Sequence, residues 1–139
     1  MGIKVIKSSF FVVVFLFSIT SYSQITDTKI KFIKRYAYCG CVYINNLKLD
    51  EKYLNDKFRI SDKSSNEFIE LSKISDYDSE KIRDFTEKLT ENFYSIESPY
   101  YSESGNSNTI TSMCLEFYDS KELDFFVKKL IKESSRKKK

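Results

Sequence analysis

Reactive side chains are scarce in this sequence, and histidine is absent from all 139 residues. Histidine is the usual general base for a serine or cysteine nucleophile and the commonest metal ligand in proteins. Any catalysis would therefore depend on carboxylates or on the three cysteines, Cys39, Cys41 and Cys114. We accordingly predict a protein that is not an enzyme, with no catalytic residue, no metal ligand and no cofactor.

Two pairs of acidic residues are spaced as an acid and a base could be: Asp76 with Asp78, and Glu87 with Glu91. Both pairs fall on faces predicted to be solvated, and such pairs arise by chance among 20 acidic residues. General acid catalysis needs an apolar pocket that raises a carboxyl pKa, and the sequence indicates none. An enzyme that uses carboxylates is therefore the least favoured of the functions considered.

The cysteine spacing argues for a structural role. Three cysteines are too few for a closed zinc site, and Cys39-Gly40-Cys41 lacks the two-residue gap of thioredoxin-type motifs. In an oxidising compartment either Cys39 or Cys41 should pair with Cys114. Because Cys41 and Cys114 fall on predicted apolar faces, we predict that bridge and a free thiol at Cys39. The alternative is three buried thiols that behave as small apolar side chains.

The first 23 residues have the layout of a secretory signal peptide, with two lysines, an apolar run from Phe10 to Phe17 and a small-residue ending at Ser23. The run is shorter than the ~20 residues that a membrane-spanning helix needs. We therefore predict cleavage near Ser23, export to the periplasm and no integral membrane segment afterwards. A retained N-terminal anchor is the alternative.

The 116 residues after Ser23 suffice for one domain with a modest core, which we place at residues 24–135. Without Lys4, Lys7 and a basic tail at residues 136–139, 17 basic residues stand against 20 acidic ones. A nucleic-acid-binding protein would spread lysine and arginine over one face. Since the basic excess lies in the tail, nucleic-acid binding is not expected.

Apolar spacing predicts an all-α fold, a small bundle of about five helices, because glycine and proline are too rare for the turns of a sandwich or barrel. The predicted helices run from Asp27 to about Ile44, from Ser64 or Ser65 to about Ile74, from Asp78 to Phe93, from Ile110 to Phe117, and from Asp119 onward. The aromatic and β-branched residues of the first segment would also suit a strand. Residues 47–60 are either a short helix or a loop.

Three of these segments have well-defined apolar faces. The first consists of Ile30, Ile33, Ala37, Cys41 and Ile44, the middle one of Ile82, Phe85, Leu89 and Phe93, and the last of Leu123, Phe126, Val127, Leu130 and Ile131.

Residues 95–108 differ from their surroundings in being rich in serine, asparagine and tyrosine. Tyrosine offers a large, stiff contact area, and the small polar residues adapt their hydrogen bonds, as in protein-binding loops. Composition alone equally allows an ordinary connection between helices, with Tyr100 and Tyr101 folded back on the domain.

Residues 112–127, SMCLEFYDSKELDFFV, resemble the signature region of the immunity proteins that neutralise type VI secretion amidase effectors of the fourth family. That family carries a similar Cys-Leu-x-x-Tyr-x-Ser-x-Glu-Leu-Asp pattern. Residues 36–42, YAYCGCV, resemble its first-helix motif, with Tyr36 at the aromatic position and Cys41 at the cysteine. The chain departs from the family in its extra Cys39 and in having Tyr36 where the family has tryptophan.

The resemblance implies a periplasmic all-α protein, often a homodimer, whose partner is a cognate cell-wall amidase of the papain-like cysteine type. A loop ahead of the signature helix would block the peptidoglycan-cleaving groove. The matching positions here are Pro99, Tyr100, Tyr101, Ser102, Glu103, Ser104, Gly105 and Asn106. Tyr100 and Tyr101 would be buried anchors, and Glu103 and Asn106 would make polar contacts. The alternative function is a periplasmic structural or adaptor protein that binds another protein and has no enzyme target.

Overall fold

A computed structural model describes the backbone of residues 3–98 and 107–137 and the side chains of residues 26–98 and 107–136. The described residues form no strand, which confirms the predicted all-α fold. Their helices are α1 (Ile3–Leu49), α2 (Lys57–Ser61), α3 (Ser64–Ser72), α4 (Asp76–Thr90), α5 (Ile110–Asp119) and α6 (Lys121–Lys137). Two 3₁₀ turns, Glu51–Asn55 and Phe93–Ser95, follow α1 and α4.

The first helix, α1, forms the centre of the bundle and packs against α3, α4, α5 and α6. It buries Ile33, Ala37 and Cys41, as predicted, so the alternative of a strand is wrong. The prediction fails at the C-terminal end, where Ile44 is only half-buried and Asn45 is fully buried. The four-residue steps from Ile33 through Ala37 and Cys41 lead to Asn45, which keeps this face in contact with the core.

The core brings α1 together with apolar side chains from three other helices. These side chains are Ile82 of α4, then Ile110, Cys114 and Phe117 of α5, then Leu123, Val127 and Leu130 of α6. The amphipathic pattern of the last helix is thereby confirmed, with Phe126 and Ile131 packed at its margin.

Helix α4 buries different side chains from those expected. Ile82 is buried, but Leu89 is exposed, and Thr86 and Thr90 occupy buried positions instead. The Thr86 hydroxyl donates to the carbonyl of Ile82, and the Thr90 hydroxyl donates to the carbonyl of Thr86, both at 2.8 Å. Each buried hydroxyl thus has an acceptor, so threonine can face the core here without an unpaired polar group.

Side-chain hydrogen bonds mark the starts of α4 and α3. Helix α4 begins at Asp76 and not at Asp78, because Ser75 Oγ accepts a hydrogen bond from the backbone N–H of Asp78 at 3.1 Å. Ahead of α3, the carboxylate of Asp62 accepts from the backbone N–H of Ser64 at 2.9 Å. Helix α3 thus begins at Ser64, and its N-cap residue, Lys63, makes no side-chain hydrogen bond to the helix.

The segment between α1 and α3 forms the 3₁₀ turn Glu51–Asn55 and the one-turn helix α2. The Asp50 carboxylate accepts from the backbone N–H of Lys52 at 2.9 Å, as expected of a cap. The Asp56 carboxylate accepts from the backbone N–H of Arg59 at 3.0 Å. Neither the turn nor α2 has a buried residue, so these two caps are the main local support of their shape.

The predicted signal peptide lies in the first half of α1, whose side chains up to residue 25 are outside the described residues. The cleavage site near Ser23 therefore lies within a continuous helix of the full chain. Where side chains are described, no helix is long and apolar enough to cross a membrane.

Candidate protein-binding site

A disulfide joins α1 to α5. Cys41 of α1 and Cys114 of α5 are bonded, with Cα atoms 5.8 Å apart, which confirms the predicted pair. The bridge closes a stretch of 73 residues, for which the chain-entropy model gives about 4 kcal/mol of stabilisation. Cys39 is a free, half-buried thiol, as expected, so the alternative of three unpaired thiols is wrong.

The predicted loop itself, Pro99–Asn106, lies outside the described residues, together with its proposed anchors Tyr100 and Tyr101 and its polar residues Glu103 and Asn106. The residues immediately before and after it are described.

A short antiparallel stem joins the two ends of this segment. Glu97 and Asn108 form an isolated β-bridge, and the backbone N–H of Ser98 donates to the carbonyl of Ser107 at 3.4 Å. Ser98 is buried, which places the stem against the domain. Ser98 and Ser107, the described residues on either side of the predicted loop, therefore lie next to each other.

One turn of α1 anchors the chain on both sides of the stem. The fully buried Asn45 accepts a hydrogen bond through Oδ1 from the backbone N–H of Tyr94 at 2.9 Å, in the 3₁₀ turn that leads into the stem. Its Nδ2 donates to the carbonyl of Cys41 at 3.0 Å. The disulfide from Cys41 holds α5, which leads out of the stem. Because Cys41 and Asn45 are one helical turn apart, both sides are held at the same place.

The sequence prediction missed Asn45 because it considered only apolar residues on the α1 face. The position of Asn45 relative to Cys41 in the sequence did indicate that it is buried. Asn45 follows Cys41 by four residues, so a helix that buries the cysteine must also turn the asparagine inward. A buried amide needs partners, and both of its polar groups have them.

A cavity of about 420 Å³ forms a second candidate region, between α1, the segment of residues 50–61 and α4. Cys39 and Tyr43 of α1 line it, together with Tyr53, Arg59 and Asp62. Its volume lies in the range of small-molecule pockets. The sequence analysis did not predict this cavity.

The titratable groups of the cavity are not those of an activated nucleophile. Burial raises the pKa of the Cys39 thiol, and the Asp62 carboxylate raises it further. Hydrogen bonds from the side chain and backbone of Ser64 lower the pKa of Asp62. Burial also raises the pKa of Tyr53, with a further contribution from Asp56. The thiol is therefore protonated at neutral pH, the opposite of what a reactive cysteine requires.

The segment that forms one wall of the cavity also exposes apolar side chains to solvent. Phe58 is 85% exposed, and Leu54 and Ile60 are exposed as well. Phe125 on α6, which is 72% exposed, is the other strongly exposed phenylalanine among the described side chains.

One residue of each acidic pair considered in the sequence has a polar partner elsewhere in the domain. Asp78 accepts a hydrogen bond from the hydroxyl of Ser134 at 2.9 Å, and Glu91 lies 3.8 Å from the ammonium of Lys48. Across the part of the chain with described side chains, no group of three acidic or cysteine residues could hold a metal ion.

No protein-family model, no curated protein and no solved structure matches this chain. Its candidate binding regions are therefore defined by its own geometry: the stem at Glu97 and Asn108, and the cavity beside Arg59.

Proposed function

We propose that this chain is a periplasmic immunity protein, which binds a peptidoglycan amidase delivered by a type VI secretion system and blocks it sterically. The target would be a papain-like cysteine endopeptidase. The segment Pro99–Asn106 would occupy the substrate groove, with Tyr100 and Tyr101 as the main contacts. Occupation of the groove excludes the substrate, so the immunity protein needs no chemistry of its own.

The observation that carries this proposal is the stem beneath the segment. Its two sides meet at the β-bridge of Glu97 and Asn108, and the chain on both sides is held to one turn of α1 by Asn45 and by the disulfide of Cys41. Binding is weakened by the entropy lost when a flexible segment is ordered. A segment with its ends already fixed loses less on binding, which favours its use as an inserting element.

The disulfide also supports an extracytoplasmic location. Disulfides form and persist in oxidising compartments such as the bacterial periplasm and are rare in the cytosol. The apolar, lysine-flanked N-terminus supplies the route of export, with cleavage near Ser23.

We propose in addition that the protein forms a homodimer, as the family resemblance implies. Light scattering of the purified protein tests this directly. A mass of one chain at micromolar concentration would contradict it.

The test of function looks for a papain-like amidase gene beside this one and measures inhibition of the encoded enzyme; a gene neighbourhood without an amidase would favour the adaptor alternative. Deletion of residues Tyr100–Asn106 should abolish binding and inhibition, while the circular dichroism spectrum and unfolding temperature stay close to those of the wild type. Tyr77→Ala, at an exposed tyrosine on α4, is the matched control and should inhibit normally. A deletion variant that still binds and protects would contradict the loop assignment. Binding by the wild type without inhibition would favour the adaptor alternative.

A further inference from the structure

A further groove lies nearer the N-terminus of α1 than the cavity described above. It has a volume of about 590 Å³ and is formed by the first described side chains of α1 and the C-terminal half of α6. Three cations line it, Lys128, Lys132 and Arg136, and their four-residue steps place them on one face of α6. The partly buried Ile30 of α1 and Ile131 of α6 line it as well. The groove thus combines apolar and basic side chains.

The carboxylates at the groove leave two of its three cations without an ion pair. Lys128 lies 2.6 Å from Asp124, one helical turn earlier on α6. Lys132 and Arg136 form no ion pair with any described side chain, and both are exposed. Asp27 is the single acidic residue that lines the groove. The groove therefore has an excess of positive charge and favours an anionic ligand.

The surroundings of the groove on α6 are more basic than its lining. Residues 128–139 contain seven basic residues against one acidic residue, Glu133. Glu133 lies 4.0 Å from Lys129, and neither lines the groove. Asp78 of α4 comes close to this part of α6, but it accepts its hydrogen bond from Ser134, which is also outside the groove. The positive charge is therefore concentrated at one end of the domain.

That end of the domain is also the one from which the apolar N-terminal run extends. Helix α1 is continuous from Ile3, so the run that ends at Phe17 belongs to the same helix as the groove residues. The ten residues from Phe17 to Asp27 span about 15 Å at the rise of an α-helix. In the uncleaved chain, an apolar run held in the membrane would bring the groove to the level of the lipid headgroups.

We propose that this groove binds anionic phospholipids at a membrane surface, with lipid phosphates against Lys132 and Arg136 and apolar parts of the lipid against Ile30 and Ile131. Basic amphipathic helices bind anionic membranes in this way, and each lysine or arginine near the surface strengthens the attraction. All the groove residues follow Ser23, so cleavage of the signal peptide leaves the groove in place. An exported protein meets membranes, which is why lipid is favoured over nucleic acid as the anionic partner.

The experiment measures cosedimentation of the purified protein, as the producing cell processes it, with vesicles of phosphatidylglycerol and phosphatidylethanolamine in equal parts. The groove variant carries Lys128→Gln, Lys132→Gln and Arg136→Gln, and it should bind about tenfold more weakly or worse. The control variant removes the same charge from exposed lysines away from the groove, through Lys52→Gln, Lys57→Gln and Lys88→Gln. It should bind as the wild type does.

Other ligands distinguish lipid from other sources of negative charge. Vesicles of phosphatidylcholine, which have no net charge, should bind the wild type about tenfold more weakly or worse. Inorganic phosphate at millimolar concentration and constant ionic strength should not compete with the phosphatidylglycerol vesicles. Competition by phosphate would overturn the inference in favour of a site for a free anion, and tighter binding of a DNA duplex would overturn it in favour of nucleic acid. Equal binding by the groove and control variants would show that the groove is not the binding surface.

A fluorescent label provides an independent readout of which face meets the membrane. Ser135 is exposed and lines the groove, whereas Ser61 is exposed and lies elsewhere. Each is replaced by cysteine, as Ser135→Cys or Ser61→Cys, in a Cys39→Ser background and labelled with an environment-sensitive dye. Phosphatidylglycerol vesicles should shift the emission of the dye at position 135 to the blue and leave that at position 61 unchanged. An unchanged spectrum at position 135 would contradict the inference.

The inference uses the proposed export of the protein but not its proposed target. Inhibition of the amidase is measured without membranes, and vesicle binding is measured without the amidase. Failure of either proposal therefore leaves the other standing.

Discussion

The side-chain oxygen of Asn45 on α1 accepts a hydrogen bond from the backbone N–H of Tyr94 at 2.9 Å, across 49 positions of sequence. The asparagine is fully buried, so its side-chain oxygen cannot exchange this partner for bulk water. This single bond links the centre of the bundle to the turn that leads into the stem.

Replacement of Asn45 by alanine should therefore destabilise the domain by roughly 1–3 kcal/mol, because the half-buried Tyr94 N–H loses its acceptor and a buried side chain is removed. Chemical denaturation measures the effect. The neighbouring Asn46→Ala is the control, since the half-buried Asn46 amide donates only to the carbonyl of Val42 within the same helix. Equal unfolding midpoints for the two variants would contradict the role assigned to Asn45.

Loss of the disulfide should destabilise the domain more than loss of the Asn45 hydrogen bond does. Cys114→Ser should lower the free energy of unfolding by about 2–5 kcal/mol, because the unfolded chain is no longer constrained across 73 residues. Cys39→Ser removes a thiol without breaking a bridge and should change stability far less. Thiol titration of the denatured, unreduced wild type should find one free thiol per chain, and a count of three would contradict the bridge.

Gly40 should accept a side chain, with a gain in stability. It lies within α1, and a Cβ atom added there would be 3.7 Å from Cγ2 of Thr86, an ordinary van der Waals contact. Gly40→Ala should therefore raise the free energy of unfolding by about 0.5–1 kcal/mol, because alanine restricts the unfolded chain and favours the helix. A lower unfolding temperature for this variant would show that α1 and α4 pack more tightly there than the structure indicates.

The Cys39 thiol should react slowly at neutral pH. Since burial and the Asp62 carboxylate both raise its pKa, the alkylation rate should rise with pH about a midpoint above that of the same thiol in the denatured chain. Asp62→Asn should move the midpoint down, but only in part, because burial is the larger cause. Asp84→Asn, on the exposed face of α4, should leave it in place. A midpoint at or below that of the denatured chain would contradict this assignment.

The periodic apolar pattern was sufficient to predict much of the framework. Four-residue spacing placed Ile33, Ala37 and Cys41 on one face of a helix, and the same reasoning placed Cys114 inward on α5. Two inward cysteines in an oxidising compartment then have each other as partners, which is why the bridge was predictable.

The same pattern could not identify the buried polar residues. Asn45, Thr86 and Thr90 are inside because their polar groups find carbonyl or amide partners, mostly one turn away on their own helix. A count of apolar residues contains no information about such partners. The cavity was missed for another reason: Cys39, Arg59 and Arg83 are far apart in the chain and meet only when three segments pack together.

Inhibition of a cell-wall amidase is the proposed role of this protein. It is tested by titration of a purified papain-like amidase of a type VI secretion system with the wild-type protein, with cleavage of peptidoglycan as the measured quantity. We predict that cleavage falls linearly with added protein and reaches zero near one chain per enzyme. Undiminished cleavage in the presence of a large molar excess would contradict the account.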